Sequence, residues 1–172
     1  MEDPLRRPER VFVLGLMGSG KSSVAKELAA ATGWPMVDND EALQAATGRT
    51  LIELASFGPE KLHELEELQL EMACRAPAPV VVTAAASVAD RPEQARRLRC
   101  HGWVVYLRAS PQVLAARVAG TARPWLEPDS LRALQEMYER RDPILRQVAD
   151  LTVDSGSMPV VELARAVREM VR

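Results

Sequence analysis

Gly15, Gly20, Lys21 and Ser22 stand at the spacing GxxxxGK[ST] within "GLMGSGKSS", residues 15–23. Each residue type has a task in holding phosphate. Glycines at 15, 18 and 20 let backbone N–H groups turn inward without a Cβ clash, and a helix starting here adds partial positive charge. Lys21 reaches terminal phosphates, and the Ser22 hydroxyl suits a magnesium coordination place. A glycine-rich turn that merely joined strand to helix leaves Lys21 beside Ser22 unexplained. The expected ligands are therefore nucleotide phosphates and Mg²⁺, with Gly15, Gly18, Ser19, Gly20, Lys21, Ser22 and Ser23 as the nucleotide-binding set.

Asp38 and Asp40 in "VDND" follow a second apolar run. At the carboxyl end of a parallel strand, one carboxylate can hold the magnesium shell through water. The other can orient an acceptor hydroxyl and take its proton. The alternative is an N-cap pair for the helix "EALQAATG". Between 39 and 78 the basic residues are few, Arg49, Lys61 and Arg75, among seven glutamates at 41, 53, 60, 64, 66, 67 and 71. A nucleoside monophosphate acceptor brings a phosphate dianion that needs arginines, so this segment favours a polyol or a monocarboxylate. Arg123, in the breaker-rich stretch "AGTARPWLEPD", fits a finger that neutralises transition-state charge, the alternative being a solvated loop cation. Trp125 beside it reads as exposed.

These groups need a scaffold. Five short runs, "RVFVLG", "WPMVD", "PVVVTA", "WVVYL" and "LTVD", are apolar on both faces and separated by helix-length sequence, the pattern of a parallel sheet covered on both sides in an α/β fold. Helices are expected over 21–32, 39–47, 60–74, 92–99, 111–119, 128–147 and 159–171. Gly33 is a stop signal, Ser110 with Pro111 a start, and Asp129 or Ser130 a cap for the long helix.

With 172 residues, 47% hydrophobic, the chain suits a single core. A formal net charge of −2 gives no field that gathers nucleic acid or an anionic membrane. No apolar run reaches the roughly 18 residues of a membrane span, and the polar "MEDPLRRPER" has no signal-length apolar stretch after it, so a cytoplasmic protein is expected. Cys74 and Cys100 read as buried, reduced thiols.

"GLMGSGKSSVAKELA", "DND", "TGRTLIELASFGPEKLHELEE", "ARPWL" and "RRDPILRQVAD" resemble, in order and spacing, the segments of shikimate kinases, nearly end to end. The resemblance implies a three-layer P-loop fold of the nucleoside monophosphate kinase type, with a five-stranded parallel sheet in order 2-3-1-4-5. It implies one kinase domain over 1–172, with an acceptor-binding segment at about 39–75 and a lid at about 119–129. The implied reaction is ATP-dependent phosphorylation of shikimate to shikimate 3-phosphate, in aromatic amino acid biosynthesis, by an enzyme expected to be a monomer. Other cyclitols or sugar acids, or a catalytically inactive nucleotide-binding protein, are the alternatives.

By position, Asp38 resembles the residue near magnesium and Asp40 the one that activates the acceptor hydroxyl. Arg123 resembles the lid arginine, Arg141 the arginine that pairs with the substrate carboxylate, and Arg117 the one lying against adenine. Read on its own, Arg141 before "DP" is a helix-end cation. Two positions depart from the family. His63 stands where a second carboxylate-binding arginine is expected, and a neutral imidazole offers no permanently charged fork; an exposed helical histidine without a ligand is the alternative. Ala84, Ala85 and Ala86 replace three glycines, placing Ala85 and Ala86 against the substrate with a Cβ each, unless the turn stays at negative φ.

Overall fold

The computed structural model describes residues 9–121 and 123–171; the first eight residues, Ala122 of the expected lid, and Arg172 lie outside the described residues. Five parallel strands form one sheet: β1 (Arg10–Leu14), β2 (Met36–Val37), β3 (Val80–Thr83), β4 (Trp103–Arg108) and β5 (Leu151–Asp154), in the order β2-β3-β1-β4-β5. β1 is central, pairing Val11 with both Val81 and Trp103. The loop leaving its carboxyl end therefore opens where the connections diverge to either side, the place at which such sheets bind ligands.

Alternation along the strands divides the core in two. Phe12, Leu14, Val82, Val104 and Tyr106 face α4 (Pro59–Arg75), α5 (Pro92–His101), α6 (Pro111–Val118) and α7 (Ser130–Val148), which contribute buried Leu70, Leu98, Leu114 and Leu134. Val11, Val13, Val81, Val105 and Leu107 face α1 (Lys21–Thr32) and α8 (Val160–Met170), through Val24, Leu28, Leu163 and Val167. Both faces of the central strands are thus apolar because both are covered, as their unbroken hydrophobic sequence requires.

Local chemistry sets the boundaries. Gly33 ends α1 in the left-handed conformation, Ser110 caps α6 through Val113 N, and Asp129 caps α7 through Arg132 N. Asp38 caps α2 (Asn39–Thr47). A short α3 (Leu51–Ala55), not anticipated from periodicity, starts on a Thr50/Glu53 capping box. α7 runs through Pro143 to Val148, so "DP" ends nothing and Arg141 is not a helix-end cation. Pro143 removes one helical bond, while Leu145 and Val148 beyond it are buried in the core, which outweighs the loss. Two other readings are corrected. Trp125 is half-buried, its indole N–H donating to Met17 Sδ at 2.9 Å, and Cys100 is exposed, although Cys74 is buried and both are free thiols.

Candidate active site

The carboxyl ends of β1, β2 and β3 open into a cleft of about 510 Å³. Its floor is the loop between β1 and α1. Gly15 is required there by close approach: a Cβ would sit 2.2 Å from Ser19 Oγ and 2.9 Å from the Leu107 carbonyl. Gly20, at φ 92°, turns the chain into α1 through a conformation that other residues rarely adopt. Lys21 then folds back over the loop, its Nζ donating to Gly15 O at 2.8 Å and Leu16 O at 3.3 Å. Burial lowers its pKa against the opposing pull of Asp40, Asp38 and Glu66, with Arg123 also lowering it. An anion entering here meets an ammonium held by neutral carbonyls.

Ser22 Oγ donates to Asp38 Oδ2 at 2.6 Å. The other Asp38 oxygen accepts from Asp40 N at 3.0 Å and Glu41 N at 3.4 Å. One oxygen therefore meets the helix-cap reading, and the other faces Ser22, the residue expected at magnesium. Next to it, Asn39 N donates to Thr83 Oγ1 at 2.9 Å, pinning the end of β2 to that of β3. Asp40 is exposed, lines the cleft, and accepts from Asn39 Nδ2 at 3.1 Å. Ser22 and Asp38 present hard oxygen donors side by side, which fits Mg²⁺, an ion that takes one or two protein oxygens and completes its shell with water and phosphate. Among the described residues no group of three or more His, Cys, Asp or Glu side chains could hold a metal by itself.

Across the cleft, a 3-10 turn (Ala86–Asp90) follows β3. Ala85 leads into it at φ −67°, and no non-glycine residue among those described has positive φ, so the alanines fit without strain. Ala84, Ala85 and Ala86 all line the wall. His63, on α4, lines it too and is half-buried, so the exposure in the alternative reading of this histidine is corrected. Burial first, then the charge of Arg141, lowers its pKa, with Asp90 opposing.

Arg141 lines the same end, nearly buried, and its guanidinium is engaged by Asp90: Nη2 to Oδ2 at 2.7 Å and Nε to both oxygens at 3.2 Å. Arg123 enters from a 3-10 turn region (Pro124–Leu126), its guanidinium 5.6 Å from the Trp125 ring centre and its buried Nε without a hydrogen-bond partner among the described residues.

Gly18, Gly20, Ser22 and Ser23 line the cleft, but Ser19 and Arg117 do not. Ser19 is buried beneath Gly15. Arg117 braces the loop from α6, donating to Gly18 O at 3.2 Å and Ser155 O at 2.6 Å. Sequence reasoning counted Glu66 only as one acidic residue among many. It lines the cleft three residues after His63, on the same helix face, a spacing that could have revealed it. Burial raises its pKa although the Ser87 hydroxyl, which bonds to it, acts the other way.

A family model described as shikimate kinase matches residues 17–172. The shikimate kinase of Cupriavidus pinatubonensis is 35% identical over 164 residues, 94% of this chain and 84% of that protein. Among solved structures, shikimate kinase from Acinetobacter baumannii in complex with shikimate superposes with a TM-score of 0.89 at 24% identity, covering 96% of this chain and 93% of that one. A gluconokinase from Sinorhizobium meliloti 1021 superposes at 0.62 with 27% identity, covering 93% and 89%. The sheet order is the one the resemblance implies.

Proposed function

The chain belongs to the shikimate kinase family, and from that membership we propose that it transfers the terminal phosphoryl group of ATP to a ring hydroxyl of shikimate, giving shikimate 3-phosphate. Membership makes it an ATP:alcohol phosphotransferase of aromatic amino acid biosynthesis. The observation that carries the residue assignments is the convergence in one cleft of Lys21, the Ser22–Asp38 pair and Asp40.

Lys21 would exchange its two neutral carbonyl acceptors for anionic β and γ phosphate oxygens, so that both partners of each bond are charged. The backbone of residues 15–20 cradles the remaining oxygens, and Arg117 holds that loop from outside while flanking the adenine end. Ser22 and Asp38 would hold Mg²⁺, which supplies neutralisation of phosphate charge during transfer. Asp40 orients the acceptor hydroxyl and accepts its proton, so that the oxygen attacks in line. Arg123, its Nε without a hydrogen-bond partner among the described residues, moves onto the transferring group as the lid closes, where a fixed cation acts on charge that develops in the transition state. Arg141 receives the acceptor's carboxylate, and neutral His63 opposite can offer one ring N–H.

A second reading, an acceptor without a carboxylate, is favoured by His63 standing in this wall. The test is coupled ADP release with shikimate, quinate, gluconate and several cyclitols, using the wild type, Lys21→Met and Asp40→Asn. Shikimate turnover is expected, falling by roughly three orders of magnitude or more in either variant with an unchanged circular dichroism spectrum. Turnover of a cyclitol or gluconate alone overturns the substrate; undiminished rates in the variants overturn the assignments.

A further inference from the structure

We propose that Asp90 is a built-in carboxylate at the acceptor end of the cleft, occupying one edge of the Arg141 guanidinium and thereby limiting how much affinity the site draws from its acceptor's own carboxylate. The proposal rests on the phosphotransferase reading above and deepens it, because it names the residue that sets acceptor charge preference.

Asp90 closes the 3-10 turn that begins at Ala86. It is placed firmly, since Ala86, Val88 and Ala89 of that turn are buried in the core and Arg91 N bonds back to Val88 O. Its carboxylate takes the Nε and Nη2 donors of Arg141, leaving the Nη1 side for a ligand, and Arg140 approaches from α7 as well, Nε to Oδ1 at 3.4 Å. The Arg141 side chain is only 9% exposed and that of Asp90 24%, so little water screens the pair. Burial alone would raise the pKa of Asp90; the bond and charge of Arg141, then Arg140, hold it below the usual carboxylate range, so it stays ionised.

An arriving carboxylate therefore meets a guanidinium already half compensated, with a fixed negative charge on its other edge. His63, on the same wall, has its pKa lowered and adds no positive charge at neutral pH, and Arg140, which also lines this end, is itself directed at Asp90. A planar guanidinium binds carboxylates by presenting paired donors. Here one of its paired edges is taken by the protein itself, while a hydroxyl-rich ligand loses nothing by that arrangement.

The experiment measures KM and kcat of the wild type and of Asp90→Asn for shikimate and for its analogue with the carboxylate reduced to hydroxymethyl. Calorimetric binding of both ligands in the presence of MgADP accompanies the kinetics. Asparagine keeps an acceptor for Arg141 and removes the charge. Asp90→Asn is expected to lower KM for shikimate by about tenfold, the scale of one charge-assisted hydrogen bond, with kcat and the analogue's KM unmoved. A raised shikimate KM, or equal movement for both acceptors, overturns the proposal by making Asp90 merely structural.

The wild type alone gives a reading independent of the variant's folding. A preference in kcat/KM for shikimate over the analogue below about tenfold supports the proposal, and one above it counts against. If shikimate is not turned over yet binds more tightly to Asp90→Asn, the inference stands and the substrate assignment falls. Normal turnover with unmoved affinity gives the reverse.

Discussion

Asp38 performs two jobs with two oxygens, and Asp38→Asn separates them. One oxygen caps α2 through the N–H groups of Asp40 and Glu41, and the other takes the Ser22 hydroxyl at 2.6 Å. Asparagine is about as good an N-cap as aspartate, so Asp38→Asn keeps the cap and loses only the charge on the second bond. Asp38→Ala loses a cap of about 1 kcal/mol and a bond to an ionised acceptor of about 1.5–3 kcal/mol, at a residue only 8% exposed. At about 2–4 °C per kcal/mol for a chain of this size, alanine lowers the melting midpoint by roughly 5–15 °C and asparagine by a few degrees at most. If the carboxylate holds the metal shell, kcat falls about a hundredfold in both variants, with a raised magnesium requirement. The assays are thermal unfolding followed by circular dichroism and ADP release titrated with MgCl₂. Wild-type kcat and magnesium dependence in Asp38→Asn, with loss only in alanine and in step with its melting point, refutes the reasoning and leaves Asp38 a cap alone.

Arg123→Ala is expected to lower kcat by about 10³-fold or more, while the lost contact with Trp125, worth about 1 kcal/mol at most, barely moves the melting point; Arg123→Lys recovers little, because the fork is missing. Equal losses in kcat and stability would contradict that. His63 yields a pH signature: burial, then Arg141, Arg91 and Arg140, lower its pKa, with Asp90 opposing. As pH falls through that lowered value the imidazole gains a positive charge, so KM for shikimate decreases as the medium is made more acidic, and His63→Asn flattens the profile. An unchanged slope in His63→Asn would assign the titration elsewhere.

The fold was legible because burial on both strand faces and cap chemistry at helix ends are local signals; Gly33, Ser110 and Asp129 act where their types suggest. The phosphate loop was legible for the same reason, its residues being consecutive. What stayed hidden depends on side chains meeting across the chain. Asp90 lies 51 positions before Arg141, and no spacing rule links a 3-10 turn to the middle of a helix. The helix expected over 128–147 runs through Pro143 as α7 does, so only the separate helix-end reading of Arg141 failed, while Trp125 misled by lying in breaker-rich sequence whose partner, Met17, is 108 positions away. α3, by contrast, was readable from Thr50 and Glu53 but is shorter than the window in which periodicity shows.

The contact between Trp125 and Met17 gives the molecule an optical handle. The three indoles are sorted by layer: Trp34 and Trp103 pack with the cluster backed by α1 and α8, and Trp125 alone sits with the other, against the phosphate loop. Subtracting the emission of Trp125→Phe from that of the wild type isolates the indole at the cleft. Nucleotide arriving at residues 15–20 then becomes visible as a colour change, in real time and without any attached dye.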